Sequence, residues 1–190
     1  AGMVDAMDYH IGRLIRYLKE SGQYDNTVII FTSDNGPAAS DVPLLWIKAL
    51  GYNRDYETLG ERYSYGTTGA SFGSAVASPL GHYKFHSGEG GIRVPLIVSG
   101  PQVAGAHRGR ISHSRAFVTD LAPTILALAG TRHPGTRYKG EAIEASTGKN
   151  LLPVIAAKTD SVYTDEDIIA YELGGNAALI KGDYKITLHR

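Results

Sequence analysis

Apolar residues at Met3, Val4, Met7, Ile11, Leu14, Ile15 and Leu18 recur at helical spacing and predict one amphipathic helix. Arg13, Arg16, Lys19 and Glu20 fall mostly off that stripe, and Ser21-Gly22 supplies the stop. After a short polar turn, Val28-Ile29-Ile30-Phe31 forms a continuous, mostly β-branched apolar run, which predicts a strand buried on both faces. From Pro37 to about His82 the periodicity fades. Leu44 to Leu50 suggests a short helix there, and residues 60–78 read as an irregular loop. Order returns with Ile92 to Val98, read as a second buried strand in which Pro95 needs a non-donating position. Ile111 to Val118 suggests another short strand. Thr119 is expected to cap a helix over 120–129 that Gly130 ends, and residues 150–157 a shorter helix. Residues 168–173, 177–181 and 184–189 read as three short strands, the last two joined at Gly182-Asp183.

Helix, short loop and buried strand make half of an α/β unit, whereas strands in succession predict an antiparallel sheet. The expected fold class is therefore α/β: a sheet flanked by helices, with a small antiparallel sheet toward the carboxyl end. Residues 1–135 are read as the α/β body, with 37–82 as an irregular excursion able to wall a pocket. Residues 136–190 are read as a linker helix followed by a small β subdomain.

Charge adds an exclusion. Lys plus Arg and Asp plus Glu both number 19, so no net field draws the chain to nucleic acid or to an anionic membrane surface. No apolar run is long enough to predict a transmembrane helix. With no cysteine, disulfides, thiolate metal sites and thiol nucleophiles are excluded within this sequence. The compartment stays open between periplasm and cytoplasm. The chain starts at Ala1 inside an amphipathic pattern and stops at Arg190 inside a strand-like one, so we expect part of a longer protein.

The candidate chemistry lies after the first strand. Asp34 and Asn35 fall just past its carboxyl end, where open α/β sheets place ligands. An acid beside an amide offers hard oxygen donors to a cation such as Ca²⁺, and Gly36 permits the sharp turn. An Asx-Gly cluster in this position is also an ordinary turn.

The run from Thr27 to Gly36, ending Ser33-Asp34-Asn35-Gly36, resembles the second metal-binding motif of the sulfatases, within the alkaline-phosphatase-like superfamily. Tyr83-Lys84-Phe85-His86-Ser87-Gly88-Glu89-Gly90-Gly91-Ile92-Arg93-Val94-Pro95 resembles the sulfatase lysine segment. Thr119 to Leu126 is similar to the following helix, and Leu179 to Ile186 to the carboxyl-terminal sheet. Bacterial arylsulfatases look nearest. The resemblance implies an alkaline-phosphatase-like mixed sheet, a divalent cation (usually Ca²⁺) held by Asp34 and Asn35, and Lys84 contacting the sulfate group. It also implies hydrolysis of a small-molecule or carbohydrate sulfate ester by a formylglycine. That nucleophile arises in a Cys/Ser-x-Pro-x-Arg motif, and none occurs here. An alternative keeps the superfamily but makes the substrate a phosphonate or phosphate ester. Another reads the chain as a non-catalytic fragment.

His82 and His86 flank Lys84 and are candidates for lining the pocket, a surface position being the plainer reading. Arg93 is expected in the buried strand with a structural partner, and Glu89-Gly90-Gly91 in a turn. Asp5 and Asp8 read as solvated first-turn acids, and Lys181, Lys185, His189 and Arg190 as a mildly basic, solvated hairpin. An α/β segment without its neighbouring strands presents an unpaired edge, which favours self-association. Sedimentation velocity is expected to show a mass that rises with concentration; a strictly monomeric profile would count against that edge.

Overall fold

The computed structural model describes residues 2–189, so expectations placed on Ala1 and Arg190 lie outside the described residues. The chain divides into two compact units. One comprises Ala1–Tyr17, Phe31–Leu96 and Ile168–Arg190, and the other Leu18–Ile30 and Ile97–Asp167.

The amphipathic run forms helix α1 (Gly2–Glu20), with Asp5 in its first turn and Lys19 in its last, as the helix dipole favours. Gly22 follows at φ 70°, the left-handed position that stops a helix. None of the residues of α1 is buried, and Met3 is 89% exposed. Its apolar stripe therefore faces no core among the described residues.

The first predicted strand is β1 (Ile29–Thr32), displaced by one residue and half-buried throughout rather than buried. It pairs with β2 (Leu96–Ser99) in a two-stranded sheet, so among the described residues each strand keeps one unpaired edge. The second expected strand needs correction. Residues Glu89–Ile92 coil into the single helical turn α4, and β2 begins only after Pro95. Proline lacks the donor that a ladder needs and biases Val94 toward extended backbone outside it. Arg93 accordingly sits outside the strand, exposed, with its backbone N–H donating to the Glu89 carbonyl at 2.8 Å.

In the middle of the chain, helix α2 (Leu44–Ala49) forms as expected and buries Ile47. The stretch read as irregular contains α3 (Gly69–Ala77), whose small residues give no stripe for periodicity to detect. Gly73 and Ala77 are its buried positions.

In the second unit, residues 111–117 form no strand; Ser112 Oγ accepts from the Ser114 N–H at 3.2 Å, a local bond that competes with pairing. Helix α5 (Leu121–Leu128) starts one residue later than expected, with Asp120 rather than Thr119 at its N-cap position. Asp120 is fully buried, and its carboxylate accepts from the Phe117 N–H, the Lys149 N–H and the Tyr163 hydroxyl, each at 2.7 Å. Thr124 extends the network, donating to the Asp120 carbonyl at 2.6 Å and accepting from the Leu151 N–H at 2.8 Å. Burial, then the bond to Asp120, pushes the Tyr163 hydroxyl well above the usual tyrosine value, so it stays a donor. Short strands β3 (Arg137–Tyr138) and β4 (Glu141–Ala142) form an antiparallel pair that the sequence pattern does not announce. Helix α6 spans only Leu152–Ile155, started by Asn150 Oδ1 accepting from the Leu152 N–H.

The three carboxyl-terminal strands form as expected: β5 (Ile168–Leu173), β6 (Asn176–Lys181) and β7 (Tyr184–Leu188), antiparallel and in sequence order. Register pairs Ile169 with Ile180 and Ile180 with Lys185, and Tyr171 with Ala178 and Ala178 with Thr187. One face thus carries Ile169, Tyr171, Ala178, Ile180, Lys185 and Thr187, and its Ile169 and Ala178 are buried.

Two outcomes follow. Asp120→Ala leaves three donors without an acceptor and should lower the unfolding free energy by about 3 kcal/mol or more in a denaturant titration. Hydrogen bonds from Lys149, then from the Thr164 backbone and side chain, hold the Asp167 carboxyl at about 2 against its usual 3.8. Its contribution is complete above the unfolded value and is lost as pH falls toward 2. The thermal midpoint should therefore decline below about pH 4, and Asp167→Asn should flatten that acid limb.

Candidate functional site

The polypeptide turns immediately after β1. Thr32 Oγ1 donates to the Pro95 carbonyl at 2.9 Å, fixing the strand end. Ser33 Oγ donates to the Asn35 carbonyl at 2.9 Å, and Asn35 Nδ2 donates to the Gly36 carbonyl at 2.8 Å. With its amide nitrogen so committed, Asn35 keeps its side-chain oxygen available as an acceptor. Asp34 is exposed and makes no hydrogen bond or ion pair with a described residue. The pair thus offers two hard oxygens, the donor type that Ca²⁺ takes.

The lysine segment packs directly on this turn. Gly36 N–H donates to the Gly91 carbonyl at 2.8 Å, and Lys84 N–H donates to the Pro37 carbonyl at 3.0 Å. A Cβ on Gly36 would lie 1.8 Å from the Gly90 carbonyl oxygen, so only glycine fits. The segment also folds on itself: Gly90 N–H donates to the Gly81 carbonyl at 2.7 Å, and a Cβ on Gly90 would lie 2.1 Å from the His82 carbonyl oxygen.

Lys84 is half-buried, with its ammonium 5.4 Å from the centre of the Phe85 ring and no carboxylate partner among the described residues. On either side of it, His82 (φ 67°) and Phe85 (φ 75°) occupy the left-handed region, a conformation that costs such residues about 1 kcal/mol or more each. Surrounding contacts must hold them there.

The two histidine candidates meet. His82 and His86 stack with ring centres 4.9 Å apart, and His189 lies 4.9 Å from His82 and 6.3 Å from His86. His82 is exposed, whereas His86 is half-buried with a buried Nδ1 that has no hydrogen-bond partner. His86 is thus not the surface residue of the plainer reading. No group of three or more His, Asp or Glu among the described residues is arranged to hold a metal ion.

Sequence reasoning missed the residues that brace this segment. Glu89 pairs with Lys185 at 2.6 Å, so Lys185 is not merely solvated. Ser87 is buried; its Oγ lies 3.4 Å from the Leu188 carbonyl and 3.5 Å from His189 Nδ1. Tyr171 donates its hydroxyl to the Ser87 carbonyl at 3.3 Å. Burial, then the Glu89 carboxylate, raises the Tyr171 hydroxyl and keeps it a donor. The one available signal was alternation: positions 185, 187 and 189 share a parity.

The family profile described as Sulfatase matches residues 1–131. An uncharacterised sulfatase of Schizosaccharomyces pombe is 36% identical over 97% of this chain and 34% of its own length. The arylsulfatase of Klebsiella aerogenes is 32% identical over 68% of this chain and 28% of its own length. Among solved structures, Ps i-CgsB in complex with k-i-k-neocarrahexaose superposes with a TM-score of 0.62 at 26% identity, covering 98% of this chain and 33% of that one. The chain spans about a third of the length of the curated relatives it matches. Its fold is that of the alkaline-phosphatase-like hydrolases, a mixed helix-and-sheet body with a small antiparallel sheet at the carboxyl end. By profile, by relatives and by fold, this chain belongs to the sulfatase family.

Proposed function

We propose that this chain supplies the cation- and sulfate-binding part of a sulfuric ester hydrolase of arylsulfatase type. The observation that carries the reading is the backbone junction of Gly36 and Pro37 with Gly91 and Lys84. It makes the Asp34-Asn35 turn and the Lys84 segment one packed body. An unpaired carboxylate, a free amide oxygen and an ammonium without a carboxylate partner then lie on that body. Such groups suit a site whose partners arrive with the ligand.

Asp34 and Asn35 fit a divalent hard cation, Ca²⁺ before the transition metals, because both present oxygen. A cation held there would polarise and orient the sulfate oxygens. Two side chains are fewer than the six to eight oxygens that Ca²⁺ takes, so water or other polypeptide completes the shell. Lys84 places a fixed positive charge where negative charge develops as the ester bond breaks. Its half-burial strengthens that interaction relative to a solvated lysine. The attacking group, the formylglycine of this family, lies outside this chain, which contains no Cys/Ser-x-Pro-x-Arg motif. The substrate class is a sulfate ester of a small molecule or carbohydrate; the carbohydrate arm rests on likeness to Ps i-CgsB, solved with k-i-k-neocarrahexaose bound.

In a sulfatase that includes these residues, Lys84→Met should reduce kcat/KM for 4-nitrophenyl sulfate by roughly 100-fold while leaving the thermal midpoint unchanged. A change within about twofold would remove Lys84 from the site. Titration of the 190-residue chain with Ca²⁺ should move the amide resonances of residues 34–36 with millimolar affinity, and Asp34→Ala should abolish those shifts. Resonances that stay fixed would reject the ligand assignment. The same chain by itself should show no 4-nitrophenyl sulfate turnover above background.

A further inference from the structure

The face of the β5–β7 sheet that carries Tyr171 and Lys185 is directed at the Lys84 segment, and His189, one alternation beyond Thr187, continues it. Its contacts are spread along that segment: Lys185 on Glu89, Tyr171 on Ser87, and His189 against His82, His86 and Ser87. Lys185 spends charge there that solvent would otherwise stabilise. Its side chain is only 19% exposed, and it lies in the same cross-strand row as buried Ile169. Such a partly buried, directed pair is a stronger constraint than an exposed one.

The segment needs constraint. It holds His82 and Phe85 at positive φ on either side of Lys84, and its glycines approach backbone so closely that no side chain could substitute for the missing packing. Backbone bonds to Gly36 and Pro37 secure it on one flank only. We propose that the carboxyl-terminal sheet is a clamp that positions Lys84, with Lys185 and Tyr171 as positioning residues acting through Glu89 and Ser87. Neither reaches the sulfate; both fix the loop that presents the ammonium. The clamp's functional consequence rests on the reading of Lys84 given above, whereas its structural effect does not.

The test has two arms. In the 190-residue chain, hydrogen exchange is followed at the Lys84 and Gly90 amides, which donate to Pro37 and Gly81, with the Ala129 amide after α5 as internal reference. Lys185→Met should accelerate exchange at Lys84 and Gly90 by roughly tenfold and leave Ala129 unchanged. Glu89→Gln should do the same. The reversed pair, Glu89→Lys with Lys185→Glu, should return both amides to within about threefold of the original rates. Tyr171→Phe, which removes one hydroxyl, tests the clamp with less risk to folding and should give a smaller acceleration of the same two amides. Rates within about twofold in all these variants overturn the clamp.

In a sulfatase that includes these residues, Lys185→Met should lower kcat/KM for 4-nitrophenyl sulfate about tenfold, and the reversed pair should recover it. If Lys84→Met abolishes turnover but the Lys185 and Tyr171 variants leave both exchange and kcat/KM unchanged, the clamp fails and the sulfate-binding reading stands. If Lys84→Met has no effect, the sulfate-binding reading fails, and the exchange rates still decide the clamp.

Discussion

Three glycines pressed backbone to backbone hold the rest of the site in place. The Gly36 amide reaches the Gly91 carbonyl while the Gly90 carbonyl occupies the space where a side chain on Gly36 would be. Main chain against main chain has no rotamers to absorb an error, so the Asp34-Asn35 turn and the lysine loop behave as one piece. Every side chain of these 190 residues proposed to act on sulfate hangs from that piece. In the proposed reading, that rigidity would let an exposed aspartate and a half-buried lysine, far apart in sequence, serve one ligand.

Around this contact the apolar core is thin. Among the described residues the buried hydrophobic side chains are Ile47, Ala77, Leu151, Ile169 and Ala178. Two of these five belong to the face of the sheet that meets the lysine loop. Polar networks carry a correspondingly larger share. In the second unit a single carboxylate, Asp120, gathers three donors from separate stretches of chain, and Lys149 joins the network to Asp167 at 2.5 Å. A buried charge so fully satisfied specifies geometry, because any rearrangement strands a donor.

Much of this was legible before any coordinates. Continuous β-branched residues announced β1, alternation and Gly182-Asp183 announced the β6–β7 hairpin, and helical spacing announced α1. The turn that follows β1 was readable because chemistry and position coincide at Asp34 and Asn35. What escaped has a common cause. Pairing of Lys185 with Glu89, of Tyr171 with Ser87 and of Asp120 with Tyr163 joins residues distant in sequence, and such contacts leave no periodic trace. Helix α3 escaped because Gly, Ala and Ser give no apolar stripe. Burial of β1 and the length of β2 were overestimated because apolar content cannot report how many neighbours a strand has, nor where Pro95 ends the pairing.

The alternation along β7 has an evolutionary consequence. Side chains in a strand swap sides with every residue, so adding or removing one residue at the Gly182-Asp183 bend would turn Lys185 outward and bring Tyr184 or Ile186 against Glu89. Length variation at a surface hairpin is ordinarily among the mildest changes a protein can accept. Here it would exchange an ion pair for an apolar or aromatic side chain at the lysine loop. Lineages that keep the loop should therefore keep the bend's length, even while its residues drift.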